Sequence, residues 1–154
     1  MDPPGVLPVL PQWFVAFVDY GRNLWWHRFT KRGFRHVFAF GYEPRLDVWI
    51  VFDPTLEGFT LRAVPGAAID SLVAEVWARD GKILRCRVEA KAPRRPRLFA
   101  TCVTVLAHLL GLPVSAVRPY GLYRMLLARG AQPAFERANA TSDDGLRHEC
   151  TRRG

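Results

Sequence analysis

Cys102, His36 and Asp53 are the residues of this 154-residue chain whose types could combine to attack a carbonyl group. A cysteine does so as the thiolate, and it needs a base within hydrogen-bond reach. Cys102 lies in the stretch Phe99-Ala-Thr-Cys-Val-Thr-Val-Leu-Ala-His-Leu-Leu-Gly111, which reads as a helix with the thiol in its first turn. Thr101 can cap the start, and Gly111 followed by Pro113 can stop the end. Val105, Leu106 and Leu109 give an apolar face. At that position the positive end of the helix dipole favours the thiolate.

Four histidines are candidate bases. His108 is six residues further along the same helix, a rise of ~9 Å and a turn of about 120° away from the cysteine, so it cannot serve. His148 falls in a polar tail, where solvation is expected. His27, beside Trp25 and Trp26 in a loop bracketed by Gly21 and Gly33, stays open as a base. His36 opens a strand, and a hairpin argument favours it. A turn centred on Pro44-Arg45 sets His36 opposite Asp53. Residues opposite one another share a face of the sheet, so the carboxylate can orient the ring and stabilise its charged form. A one-residue slip would undo this. Asp47 is the reserve acid.

Each of these residues has an ordinary reading as well. A lone cysteine on an apolar helix is usually a small core residue, a histidine at a strand start is usually structural, and Asp53-Pro54 is a common strand terminator. The joint pattern is what points to chemistry. Cys86, between Arg85 and Arg87 in a strand, reads as packing, with a reactive surface thiol as the alternative, and Cys150 as incidental. No Cys or His pair has ligand spacing, so neither a metal nor any other cofactor is expected.

The elements that must position these residues follow from periodicity. Residues 1–11 hold four prolines and form an extended lead-in. Strands are expected over Gln12–Asp19, Arg35–Tyr42, Val48–Phe52 (closed by Asp53-Pro54), Phe59–Val64 and Lys82–Ala90. Ala67–Ala78 has helical spacing, and Pro119 opens a last helix through Arg129, ended by Gly130. The expected class is α+β: an antiparallel sheet of about five strands packed against helices. One domain over 12–130 is followed by a polar, loosely ordered tail over 131–154.

Nearly half the residues are apolar (49%), which suits a globular chain rather than a disordered one. No apolar run is long enough for a transmembrane helix, and the proline-interrupted start does not read as a signal peptide. The expected location is the cytoplasm or a particle assembled there. Three cysteines, an odd count, do not make a disulfide framework. The net charge is +8, and Arg79 to Arg97 alone carries eight basic residues against Asp80 and Glu89. Within that run Lys91, Arg94, Arg95 and Arg97 can hold an acidic substrate. Trp25, Trp26 and Trp49 can line an acyl or sugar-peptide cleft, although for Trp49 ordinary packing is the favoured reading.

The order of these parts resembles a known family. Arg-His36-Val-Phe-Ala-Phe-Gly-Tyr, the hairpin to Val-Phe-Asp53-Pro, and the later Ala-Thr-Cys102-Val-Thr-Val-Leu are similar to the circularly permuted branch of the papain-like superfamily. That branch holds relatives of NlpC-type cell-wall peptidases and of lecithin:retinol acyltransferase, with the cysteine helix after the histidine strand. The helix after Pro119 adds a likeness to small phage and prophage proteins. The resemblance implies Cys102 as nucleophile, His36 as base and Asp53 as third member, although relatives often carry His, Asn, Gln or Glu there. It implies a thiol hydrolase or acyltransferase acting on a peptide, amide or ester substrate, cell-wall peptides among them. Some relatives have lost catalysis, so a structural or assembly protein in contact with other proteins of a virion or phage-like particle is the alternative. A basic nucleic-acid-binding module is the third reading; the Arg-rich connector suits it, but no nucleic-acid motif appears.

Overall fold

The computed structural model describes residues 12–19, 30–55, 58–88, 101–112, 116 and 118–135. Six strands and three helices follow in the order β1 (Gln12–Val18), β2 (His36–Glu43), β3 (Val48–Thr55), β4 (Gly58–Val64), α1 (Gly66–Ala78), β5 (Lys82–Arg87), α2 (Cys102–Leu109), α3 (Pro119–Ala128) and β6 (Gln132–Pro133). The fold is α+β, an open antiparallel sheet in the order β4-β3-β2-β1-β5-β6.

The sheet is covered on both faces, and this explains the sequence of its centre. β1 is buried almost throughout because its alternate residues serve two cores. Trp13, Val15 and Phe17 join Val37, Ala39, Leu84 and Cys86 under α2 and α3, which contribute Val103, Leu106, Leu110, Leu122 and Leu126. Ala16 and Val18 join Phe38, Phe40, Val51 and Ile83 under α1, which contributes Ile69, Val73 and Val76. Aromatic rings tie α3 down: Phe17 and Phe34 both meet Tyr123, at 5.3 and 5.0 Å between centroids.

Three expectations are corrected. First, β3 does not stop at Asp53-Pro54 but continues to Thr55 in register with β4, with Pro54 opposite Phe59. The ladder to β2 ends at Ala39 and Phe52. Beyond it β3 has no strand partner on that side among the described residues, and there a residue without an N–H is tolerated. Second, the chain after Gly130 is not all tail. Gly130 takes a left-handed φ of 84°, which reverses the chain. Gln132 and Pro133 then pair with Arg85 and Leu84, so the sheet has six strands rather than five. Third, the hairpin turn spans residues 44–47, so β2 and β3 pair Glu43 with Val48 and Ala39 with Phe52. Continued one step, that register sets Asp53 against Phe38 rather than against His36. Residues 1–11 and 136–154 lie outside the described residues.

Candidate active site

The revised register keeps His36 and Asp53 on one face. The shift is by two residues, and the side-chain period of a strand is two. Phe40 and Val51 are direct partners, and alternation carries their face to His36 on one strand and to Asp53 on the other. The two side chains therefore meet diagonally. Nε2 of His36 lies 2.7 Å from Oδ1 of Asp53, with side-chain exposures of 16% and 22%. The ring also lies over Phe38, 6.4 Å between centroids and nearly parallel.

Cys102 comes from the other end of the chain. α2 packs against β2 and β3, and Cys102 is its first residue. The sequence starts this helix firmly. Thr101 is the N-cap, its hydroxyl accepting from the N–H of Thr104 at 3.2 Å, while Oγ1 of Thr104 accepts from the N–H of Thr101 at 2.8 Å. Thr104 was the residue that reading the sequence missed; the signal was a second threonine three positions after the cap. This reciprocal cap occupies the N–H groups of residues 101 and 104 and leaves those of Cys102 and Val103 as the first-turn donors outside it. Cys102 is partly buried and its thiol is free.

The Cys102 side chain is hydrogen-bonded to His36. Burial of the imidazole disfavours its charge. The hydrogen bonds to Asp53 and Cys102, together with the negative charge of both partners, outweigh that effect and raise His36 from 6.5 to about 9. The ring is therefore a cation at neutral pH, held between a carboxylate and a sulfur.

The other candidates fall elsewhere. Asp47 sits in the hairpin turn, where it accepts a 2.6 Å hydrogen bond from the Tyr42 hydroxyl, so it is not the acid beside His36. His108 is exposed in the last turn of α2. Trp49 packs against Phe14, Phe40 and Tyr42 at 5.3–5.9 Å. Cys86 is buried in β5, and burial pushes its thiol up to about 12. Trp25, Trp26, His27, Lys91, Arg94, Arg95, Arg97, His148 and Cys150 lie outside the described residues. Among the described residues, no cluster of three or more His, Cys, Asp or Glu could hold a metal ion. No helix there is long and apolar enough to cross a membrane.

No family model, curated protein or solved structure matches this chain. Any functional reading therefore rests on the arrangement of its own residues.

Proposed function

We propose that the chain is a thiol hydrolase or acyltransferase with a permuted papain-like arrangement, using Cys102 as nucleophile, His36 as acid and base, and Asp53 as the residue that orients His36. One observation carries the reading: Asp53, His36 and Cys102 form a continuous hydrogen-bonded chain with a cationic ring at its centre. The reacting form of the sulfur is the thiolate, paired with the imidazolium. The sulfur attacks the carbonyl carbon of an amide or ester, and the carbonyl oxygen takes up the displaced electron pair. The N–H groups of Cys102 and Val103 face that developing charge. As the tetrahedral adduct collapses, the imidazolium gives its proton to the leaving amine or alcohol, and a thioester remains. The neutral ring then takes a proton from water or an acyl acceptor, which attacks the thioester and frees the sulfur. Asp53 holds Nε2 throughout and keeps the ring oriented. Substrates of the class are peptides, amides and esters, including cell-wall peptides.

A non-catalytic assembly role, as in a phage-like particle, is the second reading. β4 favours it: this edge strand is exposed over nearly its whole length, with Phe59 71% and Leu61 64% exposed, and such edges invite protein contacts. Iodoacetamide labelling at neutral pH, read residue by residue by mass spectrometry, separates the two. Rapid labelling of Cys102 that is lost in His36→Ala supports the enzyme reading. A thiol that reacts no faster than Cys86 overturns it.

A further inference from the structure

One residue before His36, Arg35 makes a charged contact of its own. Its Nε lies 2.9 Å from Oδ1 of Asp19, and both atoms are sealed from solvent. The pair does not meet the geometry of a hydrogen bond, so the attraction is between charges. The contact has a definite place in the sheet. The β1–β2 ladder ends with Val18 opposite His36, and its next step sets Asp19 opposite Arg35. The N–H of Arg35 donates to the carbonyl of Val18 at 3.0 Å. Asp19 and Arg35 thus close the end of the ladder at which His36 sits.

An ion pair that is largely buried, here with side chains 28% and 22% exposed, is a weak source of net stability, because desolvation offsets the attraction. Its stronger effect is on alternatives: a β2 that slips in register separates Nε from Oδ1 at a place where both atoms are sealed from solvent. We infer that Asp19 and Arg35 are positioning residues for the site, holding the start of β2 in the one register that aims His36 at both Asp53 and Cys102. This rests on the reading of Cys102, His36 and Asp53 proposed above. Asp53 from β3 and Cys102 from α2 face the ring directly. By alternation Asp19 and Arg35 point away from the ring, to the side of the sheet that α2 and α3 cover, so they act on the ring through the strand and not by contact.

The His36 ring titration, followed by NMR through its C–H protons, tests this alongside the rate of Cys102 alkylation by iodoacetamide at pH 7. Wild-type protein and Cys102→Ala are measured first. A wild-type ring that titrates near the ordinary histidine value, unmoved by Cys102→Ala, sinks the proposed function and this inference with it. With a high wild-type value, Asp19→Asn and Arg35→Gln should each lower the titration by about one unit and slow alkylation about tenfold, while Arg35→Lys, which keeps the charge, should keep most of both. The charge-swapped pair Asp19→Arg with Arg35→Asp should restore most of both. A simple field effect predicts something else: Asp19→Asn lowers the value, Arg35→Gln raises it and Arg35→Lys leaves it alone. That pattern, or no change in any folded variant, overturns the inference and leaves the proposed function standing. Should Arg35→Gln fail to fold, the double variant Asp19→Asn with Arg35→Gln is read instead: the inference expects a lowered value, and a field effect expects one near wild type.

Discussion

Cys86 and Cys102 are the same side chain in two settings. Cys86 stands between two arginines in the sequence, yet its thiol meets neither charge in the core. On a strand, neighbours point to opposite faces, so Arg85 and Arg87 are exposed while Cys86 is 4% exposed in the core. Its sulfur is 3.8 Å from the carbonyl oxygen of Leu84, and burial pushes the thiol up to about 12. Cys102 has no charged residue beside it in the sequence, but it opens a helix and meets an imidazole from the first third of the chain. The charge that matters to a thiol is therefore supplied by the fold and not by adjacent residues. A cysteine at the end of an element can keep one side open, whereas one in mid-strand under a helical layer cannot.

The contrast can be broken most sharply by exchange of function between the thiols. Cys102→Ala should abolish acyl transfer and rapid alkylation, while Cys86→Ala should leave alkylation of Cys102 at the wild-type rate; labelling followed by peptide mass spectrometry reads both. The partner comes next. His36→Ala should slow the reaction by about 10²–10⁴-fold, and with it Cys102 should label no faster than an ordinary thiol.

The pH dependence sharpens the comparison further. Leaving-group protonation needs the charged ring, so the rate should fall as pH rises through about 9. Stability carries the same signature. The His36 value is raised on folding, so its contribution is complete below 6.5 and is lost as pH climbs from there to about 9. The size is on the order of 3 kcal/mol by linkage. Denaturant titrations across that range should show the loss, and Asp53→Asn should flatten it. The smallest effect belongs to the buried thiol. Cys86→Ser places a hydroxyl in the core beneath α2 and α3 and should cost about 1–3 kcal/mol in denaturant unfolding, without changing the labelling of Cys102.

Much of the fold was legible because periodicity reports burial. The apolar spacing of Ile69, Val73 and Val76 marks α1, and the Pro119 start and Gly130 stop bracket α3. β6 was not legible: Gln132 and Pro133 carry no apolar pattern, and they pair only because α3 delivers them to the open edge of β5. The end of β3 was misjudged for a related reason. Proline reads as a stop, but Pro54 lies where β3 has already left β2 and still pairs with β4. Of the site, the hairpin pair was reached with the wrong partner and the right face. Asp53 meets His36 diagonally because an error of two residues preserves the side of the sheet.

The sequence by itself determined which residues open their elements: Thr101 and Thr104 start α2 at Cys102, and Gly33 precedes the strand that His36 begins. These are local matters, set by capping hydrogen bonds and backbone preference within a few residues. Only the tertiary structure decided that the two openings meet. No local rule relates a strand at position 36 to a helix at position 102; their approach follows from apolar burial, which packs α2 against β2 and β3, and from both residues being the first of their elements.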